Sequence, residues 1–320
     1  MIKKLVVAAG LFAASTAMAL AEYPVRPITL IVPYAPGGTT DVFGRAVAEV
    51  LSRELGQAVI VENRPGAGGA LGAEQLAAAE ADGYTIGFLS SATFLGINFQ
   101  DKSFRTGEQV DAIAQFQSST MLIAVNKERV PVTSMAEFME WLKANPGATY
   151  ASSGVGSVNH LSMEAFAVAN GIEVEHVGYR GAGPAMQALV AGEIDFGSGA
   201  DRMSAREHMN AGNIVGLATT GEKRAELFPD LPTVGETGFT ELEAHAFGGL
   251  FAPHGTPPEV VEKLAAAVEI AVTDPTFLET MKVTGTEVRF FGPAAFTESM
   301  NAEIDRYKTI IADLDIAVGE

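Results

Sequence analysis

Two periods of hydrophobic and polar residues alternate along this chain of 320 residues. Short apolar runs rich in Ile and Val at 26–32, 58–61 and 84–89 predict strands. A helical pattern follows each of the first two. In 42–55, Val42, Ala46, Val50 and Leu51 form one stripe, with Arg45, Glu49 and Arg53 toward water. Gly56 stands where a helix-ending glycine would, and 70–79 reads as a second helix. This order predicts a parallel sheet covered by helices. Strands at 112–116 and 121–125 come next, then a helix at 133–145 with Ser134 and Glu137 in a capping-box relation and Pro146-Gly147 as its stop. Helices at 161–170 and 185–191, the latter with Pro184 at its first position, alternate with strands at 174–177, 194–197 and 214–219. A strand at 246–252 returns toward the first unit. Helices at 259–272, from Asp274-Pro275, and at 293–314 complete the chain. The last puts Phe296, Met300, Ile304, Tyr307 and Ile311 on one face. No repeat of solenoid period is present.

The chain is long enough for two domains, and 48% hydrophobic with 19% charged residues reads as globular. A net charge of −18 repels phosphate backbones and argues against nucleic acid and anionic lipid as partners. It leaves open a neutral, dipole-lined pocket for an anion. Cys is absent, so thiol catalysis, zinc–thiolate sites and disulfides are excluded.

The N-terminus reads as a secretory signal peptide over 1–21: basic Lys3 and Lys4, an apolar run at 5–14, and small-x-small sites at Ala17-Met18-Ala19 and Ala19-Leu20-Ala21. The expected mature chain begins near Glu22. With no later apolar run of membrane-spanning length, the product is expected to be exported and soluble, without stable membrane insertion.

Candidate chemistry lies in glycine-rich turns between strands and helices. The first is Pro33-Tyr34-Ala35-Pro36-Gly37-Gly38-Thr39-Thr40-Asp41. Backbone N–H groups at a helix start lack intrahelical partners and, with the helix dipole, favour an anion. Gly37 and Gly38 carry no side chain to block approach. Ser90-Ser91-Ala92-Thr93 would lie on the same sheet edge, where ligands of open α/β sheets sit. A second glycine turn spans 150–160, and a third is Gly178-Tyr179-Arg180-Gly181-Ala182-Gly183-Pro184. Phosphate and carboxylate both fit such turns. A Walker A loop is absent, and Gly66-Ala67-Gly68-Gly69-Ala70-Leu71 has Leu71 where a dinucleotide fingerprint needs glycine. No H-E-x-x-H or G-x-S-x-G is present, and no catalytic residue, metal site or cofactor is expected. A helix start with a capping Ser accounts for Ser152 and Ser153, and His160 reads as a capping or packing residue. Asp41 is either an acid or a first-turn carboxylate stabilised by the helix dipole, the plainer reading. Asp201 could meet a ligand or cap a helix; Arg180 could pair with a ligand carboxylate or a surface acid.

Taken together, these motifs resemble the Bug proteins, the substrate-binding components of tripartite tricarboxylate transporters. The likeness runs through Tyr23-Pro24-x-Arg26-Pro27-Ile28, the first glycine turn, Val61-Glu62-Asn63-Arg64-Pro65-Gly66-Ala67-Gly68-Gly69 and Asp82-Gly83-Tyr84-Thr85. It continues through Tyr150-Ala151-Ser152-Ser153-Gly154-x-Gly156-Ser157-x-x-His160-Leu161, Tyr179-x-Gly181-x-Gly183-Pro184-Ala185 and Phe228-Pro229-Asp230-Leu231-Pro232-Thr233-x-x-Glu236-x-Gly238. Nearly the whole mature chain is covered, in order.

The resemblance implies a two-lobed periplasmic binding protein of the type II class, each lobe an α/β unit with a mainly parallel sheet flanked by helices. Lobe one would be 22–124 plus 247–320, and lobe two 125–246, with two chain crossings as a hinge. It also implies a non-enzymatic, monomeric receptor that holds a small organic carboxylate (a di- or tricarboxylate or an aromatic acid) for the membrane subunits of a transporter. The expected ligand loops map onto Tyr34, Ala35, Pro36, Gly37, Gly38, Thr39 and Asp41, and onto Ser152, Ser153, Gly154, Gly156, Ser157, Val158 and Asn159. Ser91, Thr93, Phe94, Tyr179 and Asp201 would complete the pocket. Arg180 replaces the Lys frequent beside the tyrosine in the family. A ligand sensor reporting to a membrane kinase, or more distantly a hydrolase or transferase on this architecture, are the other readings.

Overall fold

A computed structural model describes residues 23–98, 103–179, 181–199 and 202–314. The expected signal segment 1–21, Arg180 and Asp201 lie outside the described residues. The first α/β unit runs β1 (Ile28–Val32), α1 (Thr39–Leu55), β2 (Val59–Asn63), α2 (Ala70–Ala77), β3 (Thr85–Ser90), α3 (Ser91–Asn98) and β4 (Val110–Thr120). The second runs β5 (Leu122–Asn126), α4 (Met135–Ala144), β6 (Ala148–Ser152), α5 (Val158–Asn170), β7 (Val174–Gly178), α6 (Ala182–Ala191), β8 (Phe196–Ser198), α7 (Arg202–Asn210) and β9 (Ile214–Thr219). The chain then returns through β10 (His245–Pro253), α8 (Pro258–Ala271), α9 (Pro275–Val283), β11 (Glu287–Phe291) and α10 (Pro293–Leu314).

Two sheets result. One has the order β11-β4-β10-β3-β1-β2 and the other β7-β6-β8-β5-β9. Both are mixed. β1, β2 and β3 are parallel, as are β6, β7 and β8, because a helix crosses between successive members. The antiparallel pairs involve the strands that carry the chain between sheets and the edge strand β11.

Helices α1, α8 and α9 cover one face of the first sheet, with Leu264 of α8 in the same core as Leu30, Phe88 and Phe116 of the strands. Helices α2, α3 and α10 cover the other through Leu76, Phe94, Phe251 and Phe296. In the second sheet, α4 and α5 pack over Phe138, Tyr150 and Phe196, and α6 and α7 over Leu189, Ala205 and Ile214. These apolar faces supply the burial that offsets chain ordering.

Strand register fixes where the loops go. Ser90 at the end of β3 pairs beside Gly248, and His245 at the start of β10 pairs with Thr120. The carboxyl ends of β1 and β3 therefore lie at the end of the first sheet where the chain leaves it. Ile123 at the start of β5 pairs with Ser198 at the end of β8. The carboxyl ends of β6, β7 and β8 thus lie at the end of the second sheet where the chain enters it. Both loop sets face the seam between the sheets.

Local departures from the sequence expectations have identifiable causes. Helix α1 buries Phe43, Val47, Val50 and Leu51, while Val42 and Ala46 are only half-buried. The stripe is rotated because Gly44 packs on Val32 and Asp41 turns inward to its loop. Ser91–Asn98 is helical although it has no polar face to reveal a helical period; Phe94, Leu95 and Ile97 are all buried. Pro184 sits at the third position of α6, which begins at Ala182.

Candidate functional site

The β1–α1 loop is built around one carboxylate. Asp41 is 3% exposed; its Oδ2 accepts the Gly37 N–H at 2.9 Å and Arg45 Nε at 3.0 Å, and its Oδ1 accepts Asn63 Nδ2 at 2.9 Å. The same Asn63 amide donates to the Tyr34 carbonyl at 3.0 Å, while Arg45 Nη2 donates to Asn63 Oδ1 at 3.1 Å. Burial alone raises the pKa of a carboxyl. Here the hydrogen bonds from Arg45, Gly37 and Asn63 prevail and hold Asp41 down at about 2. Asp41 is thereby committed to the frame of the loop. With that brace, Gly37 holds φ +83°, a left-handed conformation that favours glycine.

Ala35, Pro36, Gly37, Gly38 and Thr39 form the exposed crest of the turn. Gly38 is the N-cap of α1, with no side-chain cap hydrogen bond. The first N–H groups of this 17-residue helix therefore lack side-chain capping. Tyr34 is half-buried beside it, and its hydroxyl lies 3.0 Å from Thr93 Oγ1 and 3.3 Å from the Gly68 carbonyl. Ser91, Thr93 and Phe94 are all buried. Ser91 Oγ accepts the Phe247 N–H, and Phe94 packs between Phe104 and Phe251 in the core.

The β6–α5 loop has a different frame. Ser152 Oγ lies 2.6 Å from His176 Nε2 and accepts the Gly154 N–H at 3.1 Å. Ser153 Oγ donates to Asn159 Oδ1 at 2.9 Å, and Asn159 Nδ2 donates to the Ser198 carbonyl at 2.6 Å. The Gly156 N–H donates to His160 Nδ1 at 3.1 Å, so that nitrogen is unprotonated. His160 and His176 stack with ring centroids 3.8 Å apart. Burial pushes both imidazoles down to about 4, with the adjacent His176 adding to the effect on His160. Neither serine caps α5. The N-cap is Ser157, again without a side-chain cap hydrogen bond, and its hydroxyl donates to the Gly154 carbonyl.

Ser153, Gly154, Gly156 and Ser157 are half-buried. Ser152, Val158 and Asn159 are buried, Val158 within the cluster that holds Leu161 and Tyr307. Tyr179 is half-buried against the α6–α7 core, and its N–H donates to the Ser152 carbonyl at 3.1 Å. The buried members are scaffold for the crests rather than part of them. Sequence reasoning gave no site role to Asn63, Arg45, His176 or Ser198. Asn63 was within reach, because it stands in a glycine-rich motif. His176 carried no local signal, since only β6–β7 pairing brings it to Ser152.

The two helix starts can receive an anion through backbone N–H groups without a cationic side chain. Among the described residues no group of His, Asp and Glu is arranged to hold a metal ion. No described helix is long and apolar enough to cross a membrane.

Comparisons with known proteins agree with this architecture. BugD, described as a periplasmic binding protein, is 30% identical, with a TM-score of 0.73 over 92% of this chain and 99% of that one. MatC from Rhodopseudomonas palustris, solved with bound malate, is 29% identical with a TM-score of 0.72 over 90% of this chain and 100% of that one. A further R. palustris protein, solved with adipate, is 29% identical with a TM-score of 0.73 over 92% and 99%. The model of the tripartite tricarboxylate transporter family receptor matches residues 43–316. The chain belongs to that receptor family, the Bug-type, two-lobed α/β proteins of periplasmic solute binding.

Proposed function

We propose that this protein captures a small organic carboxylate in the periplasm and delivers it to the membrane subunits of a tripartite tricarboxylate-type transporter. The observation that carries the reading is the pair of helix starts, Gly38 of α1 and Ser157 of α5, both without side-chain caps and both on loops that face the seam between the sheets. Relatives of similar length that hold malate and adipate support a dicarboxylate as the first class to test. The binding residues are the crests, 35–39 from one lobe and 153–157 from the other, with Tyr34 and Tyr179 beside them. Hydrogen bonds to a charged group contribute about 1.5–3 kcal/mol each, so a few suffice for micromolar affinity, about 8 kcal/mol. Rotation about the strands that join the lobes would close the crests on the ligand.

A thermal-shift screen of di-, tri- and aromatic carboxylates, followed by calorimetry, tests the reading. A rise in melting temperature with at least one carboxylate is expected; a response to sugars or cations alone would overturn it. Gly38→Val refines the test. A Cβ at Gly38 meets only the Ala35 carbonyl, at 3.7 Å, and φ is −77°, so the variant should fold. Its side chain should cover the helix start and weaken binding at least about tenfold, one lost charged hydrogen bond. Unchanged affinity would remove this turn from the site.

A further inference from the structure

The lobes leave a second crevice, of about 850 Å³, between residues 206–227 of the middle segment and 272–288 of the C-terminal segment. Its place follows from strand order. In the first sheet β4 and β10 lie between β11 and the β3-β1-β2 strands that carry the crest loops. In the second sheet β5 and β9 form the side away from β7, β6 and β8. The crevice borders β11 and the segment after β9, so it lies behind the connecting strands, opposite the crests. Arg289 and Glu222 face each other across this side, Nη2 to Oε2, at 3.5 Å.

Its lining is unlike the rest of the surface. Leu227 from one lobe and Val272, Leu278 and Val288 from the other make an apolar floor. Arg206, Lys223, Arg224 and Lys282 stand around it, against two acids, Glu226 and Glu287. Arg224 is engaged by the Glu236 carboxylate at 2.9 Å. The exposed Arg206 and Lys223 of one lobe and Lys282 of the other place positive charge on both walls. A net positive lining in a chain of net charge −18 is a local inversion of the protein's field. The volume is that of a small-molecule site, about 300–1,000 Å³.

We infer that this rear crevice is a second binding site, for an amphipathic organic anion whose apolar body lies on Leu227, Val272, Leu278 and Val288 and whose acid group meets Lys223 and Lys282. Its chemistry differs from that of the crests, where backbone N–H groups rather than cations receive the ligand. An occupant held by both lobes is linked to the angle between them. The inference stands independently of the carboxylate reading of the front site.

Titration with 8-anilinonaphthalene-1-sulfonate, followed by fluorescence and confirmed by decanoate competition, tests it. One saturable site is expected. Lys223→Glu and Lys282→Glu should each weaken binding about fivefold, the effect of one partly exposed charge pair. Leu278→Asp, at a position already 39% exposed and so tolerant of a polar side chain, should weaken it further. Gly38→Val, on the opposite side, should leave the titration unchanged. Melting curves matching the parent show that each variant is folded, and Lys→Gln variants replace any that is not. Non-saturable binding, indifference to both charge reversals, or loss of binding in Gly38→Val would each overturn the inference.

Discussion

Asp41 shows how a single buried carboxyl can fix the shape of a loop. It accepts from Gly37, Arg45 and Asn63 and thereby fixes the crest that α1 presents. Asp41→Asn should cost about 1–3 kcal/mol in urea unfolding, the range for disrupting a buried charged hydrogen-bond network, and should weaken carboxylate binding as well. Because its pKa is lowered from 3.8 to about 2, the stability it contributes is complete above pH 3.8 and lost as pH falls through 2. The stacked His160 and His176 act in the same direction, at higher pH. Their folded values near 4 lie below the ordinary 6.5, so the unfolded chain takes up protons first. Stability should fall as pH drops from 6.5 through 4. His160→Asn, whose amide oxygen can accept the Gly156 N–H, should flatten that acid limb in pH-dependent melting while keeping the loop.

At the scale of elements, much was legible because local chemistry decided it. Ser134 caps α4 by accepting the Glu137 N–H, and Asp274 caps α9 by accepting from Thr276 and Phe277. The stripe Phe296, Met300, Ile304 and Tyr307 is buried along α10. Strand β11 and helix α7 gave no such signal: β11 is half-buried throughout, and α7 is largely polar. Close approach at one crossing strand also had no sequence signature. A Cβ at Gly249 in β10 would lie 2.0 Å from the Ala114 carbonyl oxygen of β4, at an irregularity in their pairing. Gly249→Ala should therefore force the two strands apart and cost about 3 kcal/mol, measured by chemical denaturation. A neutral result would mean that β10 does not approach β4 so closely.

Several polar ties cross the seam of the whole molecule among the described residues. The Thr220 hydroxyl accepts from the Met121 N–H and donates to the Ala244 carbonyl, joining the two chain crossings. Tyr307 of α10 meets Ser162 of α5 at 2.9 Å, and Arg306 donates to the Glu243 carbonyl at 2.7 Å. Helix α10 thus begins on the first sheet and ends against the second lobe. Beside this seam Glu303 is 9% exposed, with Oε1 unpartnered among the described residues and Oε2 3.8 Å from Arg306. Burial raises its pKa to about 7 against the pull of Arg306. The folded state therefore holds this proton more tightly than the unfolded state, and stability is lost as pH rises from 4.5 through 7. Glu303→Gln should melt roughly 2–4 °C above the parent at pH 8, a change of about 1 kcal/mol, and close to it at pH 5. Equal melting temperatures at pH 8 would show that the carboxyl is relaxed there.

The sequence by itself determined the alternation of strands and helices, the glycine crests and the family, because these depend on local propensity and on motifs a few residues long. Tertiary structure alone decided which loop residues form the surface. Ala35 and Gly38 are exposed, whereas Thr93, Phe94, Val158 and Asn159 in the same motifs are buried. It also decided that His176 supports Ser152, that α10 ties one lobe to the other, and that cations from distant segments gather behind the connecting strands. Each of these depends on strand register and on packing between residues tens to hundreds of positions apart, which no local pattern encodes.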